Sequence, residues 1–186
     1  MEKIITLFQR NYETDRLVRD EVVPGAEWVL RGEGVATRKY DGTCCLVRSG
    51  ILHKRYELKN GKKPPPLFQP AQDPDPVTGD CPGWVPVGEG PDDRWHREAW
   101  AGFFSIKPPD GTYELLGPKV QGNPEGVSHH YLMSHERAEI LDDCPRTFAG
   151  IRDWFHGKDI EGLVWHHPDG RMVKIKKKDF GMKRDA

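Results

Sequence analysis

A lysine followed by a short acidic turn occurs early in the 186-residue chain, as Lys39-Tyr40-Asp41-Gly42. One interpretation is structural, because Asp-Gly is a frequent hairpin dipeptide. The other is chemical, because a deprotonated lysine amine attacks phosphorus or carbonyl centres when its neighbours lower its pKa. The pattern is short and occurs by chance in many chains, so the choice depends on other motifs.

Three later stretches carry side chains that suit the same chemistry. Because strand residues two positions apart share a face, Lys174 and Lys176 are expected to project side by side and to hold nucleotide phosphates. One glutamate suits Mg²⁺ or the orientation of an amine, and another suits a pair of ribose hydroxyls. Clustered cations and the metal are expected to lower the pKa of Lys39, which would then attack an α-phosphorus and release pyrophosphate. The stretches are Tyr113-Glu114-Leu115, Glu161-Gly162-Leu163-Val164 and Val173-Lys174-Ile175-Lys176.

The strand signals are strongest around Lys39. Residues 35–40, 43–48 and 51–58 are joined by the turn dipeptides Asp41-Gly42 and Ser49-Gly50, which predicts an antiparallel meander. The third strand would bring His53, Lys54 and Arg55 back beside Lys39.

Residues 59–93 are rich in proline, which excludes a regular helix there. Apolar residues within this stretch favour a long loop, ordered or mobile, over a linker between domains. The other predicted elements are strands at 4–8, 27–30, 111–117 and 131–135, a partial helix within 9–21, helices from Asp92 or Asp93 to about Gly102 and from Asp142 or Asp143 to Gly157, and a hairpin of 161–166 with 171–176.

Composition restricts the class of protein. The length suits one domain, and 28 basic against 29 acidic residues give no global positive field to attract nucleic acid. Any anion site must therefore come from local clustering, and a basic tail at residues 174–184 supplies one such cluster. Four cysteines without a CxxC pair predict free thiols in a reducing cytosol, and the scattered histidines argue against a zinc site. The absence of a signal peptide or a long apolar run predicts a cytoplasmic protein without a membrane partner.

The order and character of the four stretches resemble the covalent nucleotidyltransferases, which include ATP-dependent ligases and messenger-RNA capping enzymes. Within that superfamily the chain is most similar to small ATP-dependent RNA ligases of the vertebrate RNA ligase 1 type. The similarity rests on the longer runs 39–45 and 113–124 and extends from about residue 35 to residue 181.

The resemblance implies an α+β nucleotidyltransferase (adenylation) domain with antiparallel sheets and flanking helices around a nucleotide cleft. A single such domain is expected over residues 1–186, without an OB-fold domain. The absence of an OB-fold argues against DNA ligases and capping enzymes. It also makes the proline-rich loop and the basic tail the candidates for gripping RNA through phosphate contacts.

Roles carry over by motif. Lys39 is expected to become the lysyl–AMP, and Glu161 to bind Mg²⁺ (or Mn²⁺) or to position Lys39. Lys174 and Lys176 are expected to hold the α-phosphate and the leaving pyrophosphate of ATP.

Further nucleotide contacts are expected from other strands. Glu114 resembles the glutamate that contacts the ribose. Arg55, with Lys54 as the alternative, resembles a basic residue that reaches the ribose or the terminal phosphates. An adenine-stacking side chain is expected within residues 131–135, where no fixed pattern identifies it.

The predicted function is therefore ATP-dependent joining of RNA 5′-phosphate and 3′-hydroxyl ends through a lysyl–AMP enzyme and an adenylated RNA 5′ end. Two alternatives stay open. One is an AMP or GMP transferase acting on a DNA end, a cap or a protein. The other is a non-catalytic module that binds nucleotide or RNA ends.

Overall fold

The computed structural model describes residues 1–103 and 107–184, and its secondary structure is α+β with mainly antiparallel sheets and few helices. Within these residues no helix is long and apolar enough to cross a membrane. The α-helices are α1 Glu27–Leu30, α2 Arg94–Ala101 and α3 Phe148–Trp154. The strands, in chain order, are β1 Ile5–Thr6, β2 Phe8–Arg10, β3 Val18–Val22, β4 Val35–Lys39, β5 Thr43–Arg48, β6 Ile51–Leu58, β7 Gln69–Pro70, β8 Cys81–Pro86, β9 Gly111–Leu116, β10 Tyr131–Ser134, β11 Gly162–His166 and β12 Met172–Lys176.

The chain divides into two compact units. The first unit comprises Met1–Lys3 and Asp41–Arg137, and the second comprises Ile4–Tyr40 and Ala138–Ala186. That the chain forms a single nucleotidyltransferase domain stays a prediction.

The first unit is built on a six-stranded antiparallel sheet with strand order β10-β9-β5-β6-β8-β7. Side chains alternate between the two faces of each strand, so apolar side chains can face the core while candidate site residues lie on the opposite face. On β9, Tyr113 and Leu115 are buried in a core cluster that includes Ala99 of α2. Glu114 consequently lies on the opposite face.

The second unit contains a four-stranded sheet with strand order β1-β12-β11-β4 and the β2–β3 hairpin. Its core cluster includes the fully buried Leu163 and Trp165 of β11 and Ile175 of β12. Arg146 ties the chain before α3 to the end of α1, because its guanidinium donates hydrogen bonds to three backbone carbonyls. Those carbonyls belong to Val29, Glu33 and Gly34.

The predicted meander is wrong at its first turn. Strand β4 pairs with β11 in the second unit, whereas β5 pairs with β6 and β9 in the first. The reason is local: an Asp-Gly hairpin of type I′ needs positive φ at both residues, and Gly42 does not have it. The stretch from Lys39 to Gly42 therefore connects β4 of the four-stranded sheet to β5 of the six-stranded sheet.

Other predictions have mixed outcomes. The hairpin of β5 and β6, strands β9 and β10, helix α2 and the β11–β12 hairpin are confirmed. Residues 27–30 form a helix rather than a strand, since consecutive Trp28 and Val29 are both buried. The partial helix within 9–21 is wrong, because β2 and β3 form a hairpin there. The proline-rich stretch contains β7 and β8, and α3 begins only after the N-cap Thr147.

Replacement of Leu163 by alanine tests the core of the second unit. Leu163 is 0% exposed, so we expect the free energy of unfolding to fall by about 2–5 kcal/mol in urea titration. The matched control is Leu67→Ala at a site that is 73% exposed, where a change within about 0.5 kcal/mol is expected. Equal losses in the two variants would contradict this assignment of the core.

Candidate functional site

Lys39, Glu161 and Lys176 meet at one end of the four-stranded sheet. Gly162 pairs in register with Lys39 on β4 and with Lys176 on β12, and Glu161 directly precedes it. Lys39 Nζ lies 2.5 Å from Glu161 Oε2, and Lys176 Nζ forms an ion pair with Glu161 Oε1. One carboxylate therefore joins two lysines from two different strands.

Gly162 makes this arrangement possible. A Cβ atom at this position would lie 2.2 Å from the carbonyl oxygen of Ile175 and 2.8 Å from Cα of Lys176. Such contacts are too short for any side chain, so only glycine lets β12 approach β11 here. The glycine that follows Glu161 thus has a packing role.

Lys174 lies on the same face of β12 as Lys176 and is partly buried. Burial, together with the neighbouring cations Lys176 and Lys39, lowers the pKa of Lys174 to about 8, against the opposing effect of the Glu161 and Asp179 carboxylates. At pH 7 the ammonium group of Lys174 is still mainly charged. The ammonium groups of Lys39 and Lys176 therefore share the carboxylate of Glu161, Lys174 lies near enough to feel both cations, and the nearby carboxylate of Asp179 is paired with Arg10. This excess of positive charge makes the site favourable for a polyanion such as a chain of phosphates.

The cluster fits a metal ion only in part. In the described ranges no group of three or more His, Cys, Asp or Glu side chains can hold a metal. Mg²⁺ is commonly bound by one or two carboxylates together with substrate phosphates. Glu161 fits that mode, with the remaining ligands supplied by phosphate oxygens and water.

Glu114 is held in the first unit by two hydrogen bonds. Its Oε1 accepts from the backbone N–H of Gly42 at 3.2 Å, and its Oε2 lies 3.0 Å from Nε2 of His135. The other ring nitrogen of His135 lies 3.0 Å from the hydroxyl of Thr112. Glu114 is only 7% exposed, so these partners replace most of its contact with water.

Close backbone approach explains the glycine of the Lys-x-Asp-Gly stretch. A Cβ atom on Gly42 would lie 2.3 Å from the carbonyl oxygen of Leu115 and 2.9 Å from Cγ of Glu114. The preceding amide, that of Asp41, donates to Oε1 of Glu125 at 2.9 Å. Two glutamates thus accept hydrogen bonds from the consecutive amides of Asp41 and Gly42, within the Lys-x-Asp-Gly stretch.

Sequence reasoning missed Glu125 and did not assign His135 a role. Glu125 follows directly after the run 113–124, but nothing in the sequence indicates that its carboxylate returns to Asp41, 84 residues earlier. His135 ends a predicted strand and the range in which an adenine-stacking side chain is expected, but its hydrogen bonds to Glu114 and Thr112 depend on where the chain turns after β10.

The structure separates the two candidate cations of β6. Lys54 pairs in register with Cys45, whereas Glu114 pairs with Cys44, so Lys54 lies on the face opposite Glu114. Its Nζ lies 2.5 Å from Oδ1 of the buried Asp93. Lys54 is therefore bound internally.

Arg55 lies on the same sheet face as Glu114. Its guanidinium carbon is 4.7 Å from the ring centroid of Trp84, and its Nη1 donates to the carbonyl of Met1 at 2.8 Å. Met133 of β10 pairs in register with Glu114, and Tyr131 lies on the same face of β10 as Met133. Within the range expected to hold an adenine-stacking side chain, these two residues therefore lie on the Glu114 face of the sheet.

The predicted site residues therefore fall into two groups. Lys39, Glu161, Lys174 and Lys176 come together in the second unit, whereas Glu114 and Arg55 belong to the first unit. The roles assigned to all six stay predictions.

Much of the basic tail is packed internally. Lys177 is 3% exposed and donates to the carbonyl of Lys158, and Arg184 pairs with Asp159. Lys178 and Lys183 are exposed. The tail therefore presents fewer cations to a partner than the sequence indicated.

The α+β architecture is compatible with a ligase domain, and the sequence is similar to known proteins of that kind. A family model described as RNA ligase 1 matches residues 108–185. Curated proteins named RNA ligase 1 from Rattus norvegicus and Mus musculus are each 26% identical, over 80% of this chain and 67% of their own length. An RNA ligase 1 from Danio rerio is 36% identical over 39% of the chain and 25% of its own length. The chain is related to RNA ligase 1-type proteins.

Replacement of Gly42 by alanine tests the close approach at β9. We expect a loss of about 1–3 kcal/mol in the free energy of unfolding, because the added methyl group displaces backbone or Glu114. Gly90→Ala is the matched control, since its Cβ would meet nothing within 4 Å and its φ of −65° suits alanine. If both variants unfold at the same urea concentration, the proposed constraint is wrong.

Replacement of Lys174 by methionine tests the buried charge. The folded-state pKa of about 8 lies below the ordinary value of 10.5, so the unfolded chain binds more protons between these pH values. Below pH 8 the full cost of the buried ammonium is present, and it disappears as the pH rises to 10.5. We expect Lys174→Met to be more stable than the parent at pH 7, by at most about 3 kcal/mol, with the difference shrinking above pH 8.

Thermal unfolding at several pH values measures this difference. The exposed Lys183→Met is the control and should show little change at any pH. A stability difference for Lys174→Met that is independent of pH would show that the charge of Lys174 is not its cause.

Proposed function

We propose that this protein is an ATP-dependent RNA ligase with the nucleotidyltransferase fold, which joins RNA 5′-phosphate and 3′-hydroxyl ends. The observation that carries the proposal is the ion-paired cluster in which Lys39 and Lys176 share Glu161, with Lys174 beside them. The relationship to RNA ligase 1-type proteins supports RNA as the acceptor.

In the first step Lys39 attacks the α-phosphorus of ATP. The bond from Nζ to phosphorus forms, and the bond from the α-phosphorus to the oxygen of the β-phosphate breaks. Pyrophosphate leaves with that electron pair. Before the attack, one proton of the Lys39 ammonium group passes to Glu161, whose Oε2 is 2.5 Å away, so that Nζ has a lone pair for the attack. The second proton that Nζ loses once it is bound to phosphorus passes to water. Lys174 and Lys176 offset the charge on the phosphates.

Magnesium or manganese is proposed to bind at Glu161 together with phosphate oxygens, where it would reduce the negative charge of the triphosphate. When phosphates arrive, Lys176 can exchange part of its pairing with Glu161 for phosphate contacts. Glu161 therefore serves as the carboxylate that holds Lys39 in position before ATP binds.

Later steps use RNA. AMP passes from Lys39 to an RNA 5′-phosphate, and a 3′-hydroxyl then attacks that phosphate and releases AMP. Glu114 is proposed to accept hydrogen bonds from the ribose, and Arg55 to contact the nucleotide. A cytoplasmic location is proposed too, because cysteines without a CxxC pair suit a reducing compartment.

Intact mass spectrometry tests the covalent step. The purified protein, incubated with ATP and Mg²⁺, should gain the mass of one AMP, and Lys39→Ala should gain none. Lys183→Ala, which replaces an exposed lysine of the same unit, is the matched control and should label like the parent. A parallel incubation with GTP determines the nucleotide preference.

The adenylated protein is then given RNA. Joining should require a 5′-phosphate, and RNA with a 5′-hydroxyl should stay unjoined. Labelling of Lys39→Ala would show that the nucleophile is wrong. Labelling without RNA joining would favour another acceptor, and the absence of labelling with either nucleotide would favour a binding module.

A further inference from the structure

His135 is placed to control the orientation of Glu114. It begins the short 3₁₀ helix His135–Arg137 directly after β10 and is half-buried. Its ring bridges two side chains of β9, with Nε2 3.0 Å from Glu114 Oε2 and Nδ1 3.0 Å from the hydroxyl of Thr112. The ring is thus fixed at both nitrogens against one strand.

The chemistry of the partners determines the proton positions. An ionised carboxylate only accepts hydrogen bonds, so Nε2 of His135 must be the donor to Glu114. In the neutral ring Nδ1 is then an acceptor, and the hydroxyl of Thr112 donates to it. Thr112 and Glu114 lie two residues apart on one strand and therefore share a face. The bridge holds the flexible glutamate side chain in a single direction.

Two of the lone-pair positions of Glu114 are used by Gly42 and His135. An ionised carboxylate has about four such positions, so about two remain to accept hydrogen bonds from a ligand. A vicinal diol offers two hydroxyl donors at suitable spacing. Without His135, the N–H of Gly42 alone would orient the carboxylate, which could then rotate away from a diol.

We propose that His135 is a positioning residue that presents the carboxylate of Glu114 to the 2′- and 3′-hydroxyls of the bound nucleotide, and that it thereby sets the preference for a ribonucleotide over a 2′-deoxyribonucleotide. The inference rests on the proposed function, in which Glu114 contacts the ribose. His135 itself does not touch the nucleotide.

A matched pair of variants separates the two hydrogen bonds of His135. Glutamine places its amide nitrogen near the position of Nε2 and can still donate to Glu114. Asparagine ends near the position of Nδ1 and can reach only Thr112. His135→Gln should therefore retain the function of the bridge, whereas His135→Asn should lose it.

Calorimetric titration with AMP and 2′-deoxy-AMP measures the effect without any covalent step. The parent should bind AMP about tenfold more tightly than 2′-deoxy-AMP, and His135→Gln should keep this ratio. His135→Asn should lose about tenfold in affinity for AMP and little for 2′-deoxy-AMP, so that the ratio approaches one. A merely structural role would weaken both ligands equally.

The exposed His156→Asn in the second unit is the control and should bind both nucleotides like the parent. If His135→Asn does not fold, as judged by thermal unfolding, Thr112→Val replaces it and should lower the ratio part of the way. An unchanged ratio in the folded variant, or equal loss in His135→Gln and His135→Asn, overturns the inference.

The outcome is distinguishable from that of the proposed function. AMP binding does not require attack by Lys39, so the same titrations are repeated in Lys39→Ala. If the parent gains no AMP mass but the binding ratios behave as expected, the ligase proposal fails and the role of His135 stands. If the parent becomes adenylated but the ratios do not change, only the role of His135 fails. If the parent binds neither nucleotide, both fail.

Discussion

The candidate site of the second unit depends on the ion pairs that the carboxylate of Glu161 forms with Lys39 and Lys176. Strands β4 and β12 flank β11 and bring the ammonium groups of Lys39, Lys174 and Lys176 to one sheet end. Like charges this close destabilise each other, and partial burial strengthens the effect because water screens it less. One carboxylate joined to Lys39 and Lys176 offsets part of the repulsion. The remaining excess of positive charge makes the site favourable for phosphate groups.

Gly42 and Gly162 are required because two segments of backbone approach each other closely at these positions, and neither residue has a positive φ. Gly162 lets β12 approach β11 beside Glu161, and Gly42 lets the chain pass against β9 beside Glu114. In each case the candidate glutamate lies directly next to the point of closest backbone contact. The positions of the carboxylates are therefore fixed by strand packing, which is stiffer than a surface loop.

Several cations that are candidates for binding a ligand in the sequence are bound to other groups of the protein in the structure. Lys54 is bound to Asp93, and Lys177 and Arg184 of the basic tail are bound to neighbouring groups, so these three cations are satisfied within the fold. Arg55 lies on the same sheet face as Glu114, packs against the ring of Trp84 and donates to the carbonyl of Met1. A planar cation held in this way keeps its charge while losing little rotamer freedom, which suits a ligand contact.

The sequence alone determined the strands with local pairing and the composition of the site. Hairpins β5–β6 and β11–β12 follow from alternation and turn dipeptides, both local signals, and the candidate residues Lys39, Glu114, Glu161, Lys174 and Lys176 follow from motif order.

Only the tertiary structure decided the contacts that join distant parts of the chain. Lys39 and Glu161 are 122 residues apart, and Glu125 reaches back 84 residues to Asp41. The separation of β4 from β5, the helical form of residues 27–30 and the bridge made by His135 depend likewise on which strands and side chains become neighbours. Local periodicity carries no information about such neighbours, because they are selected by the packing of two separate cores.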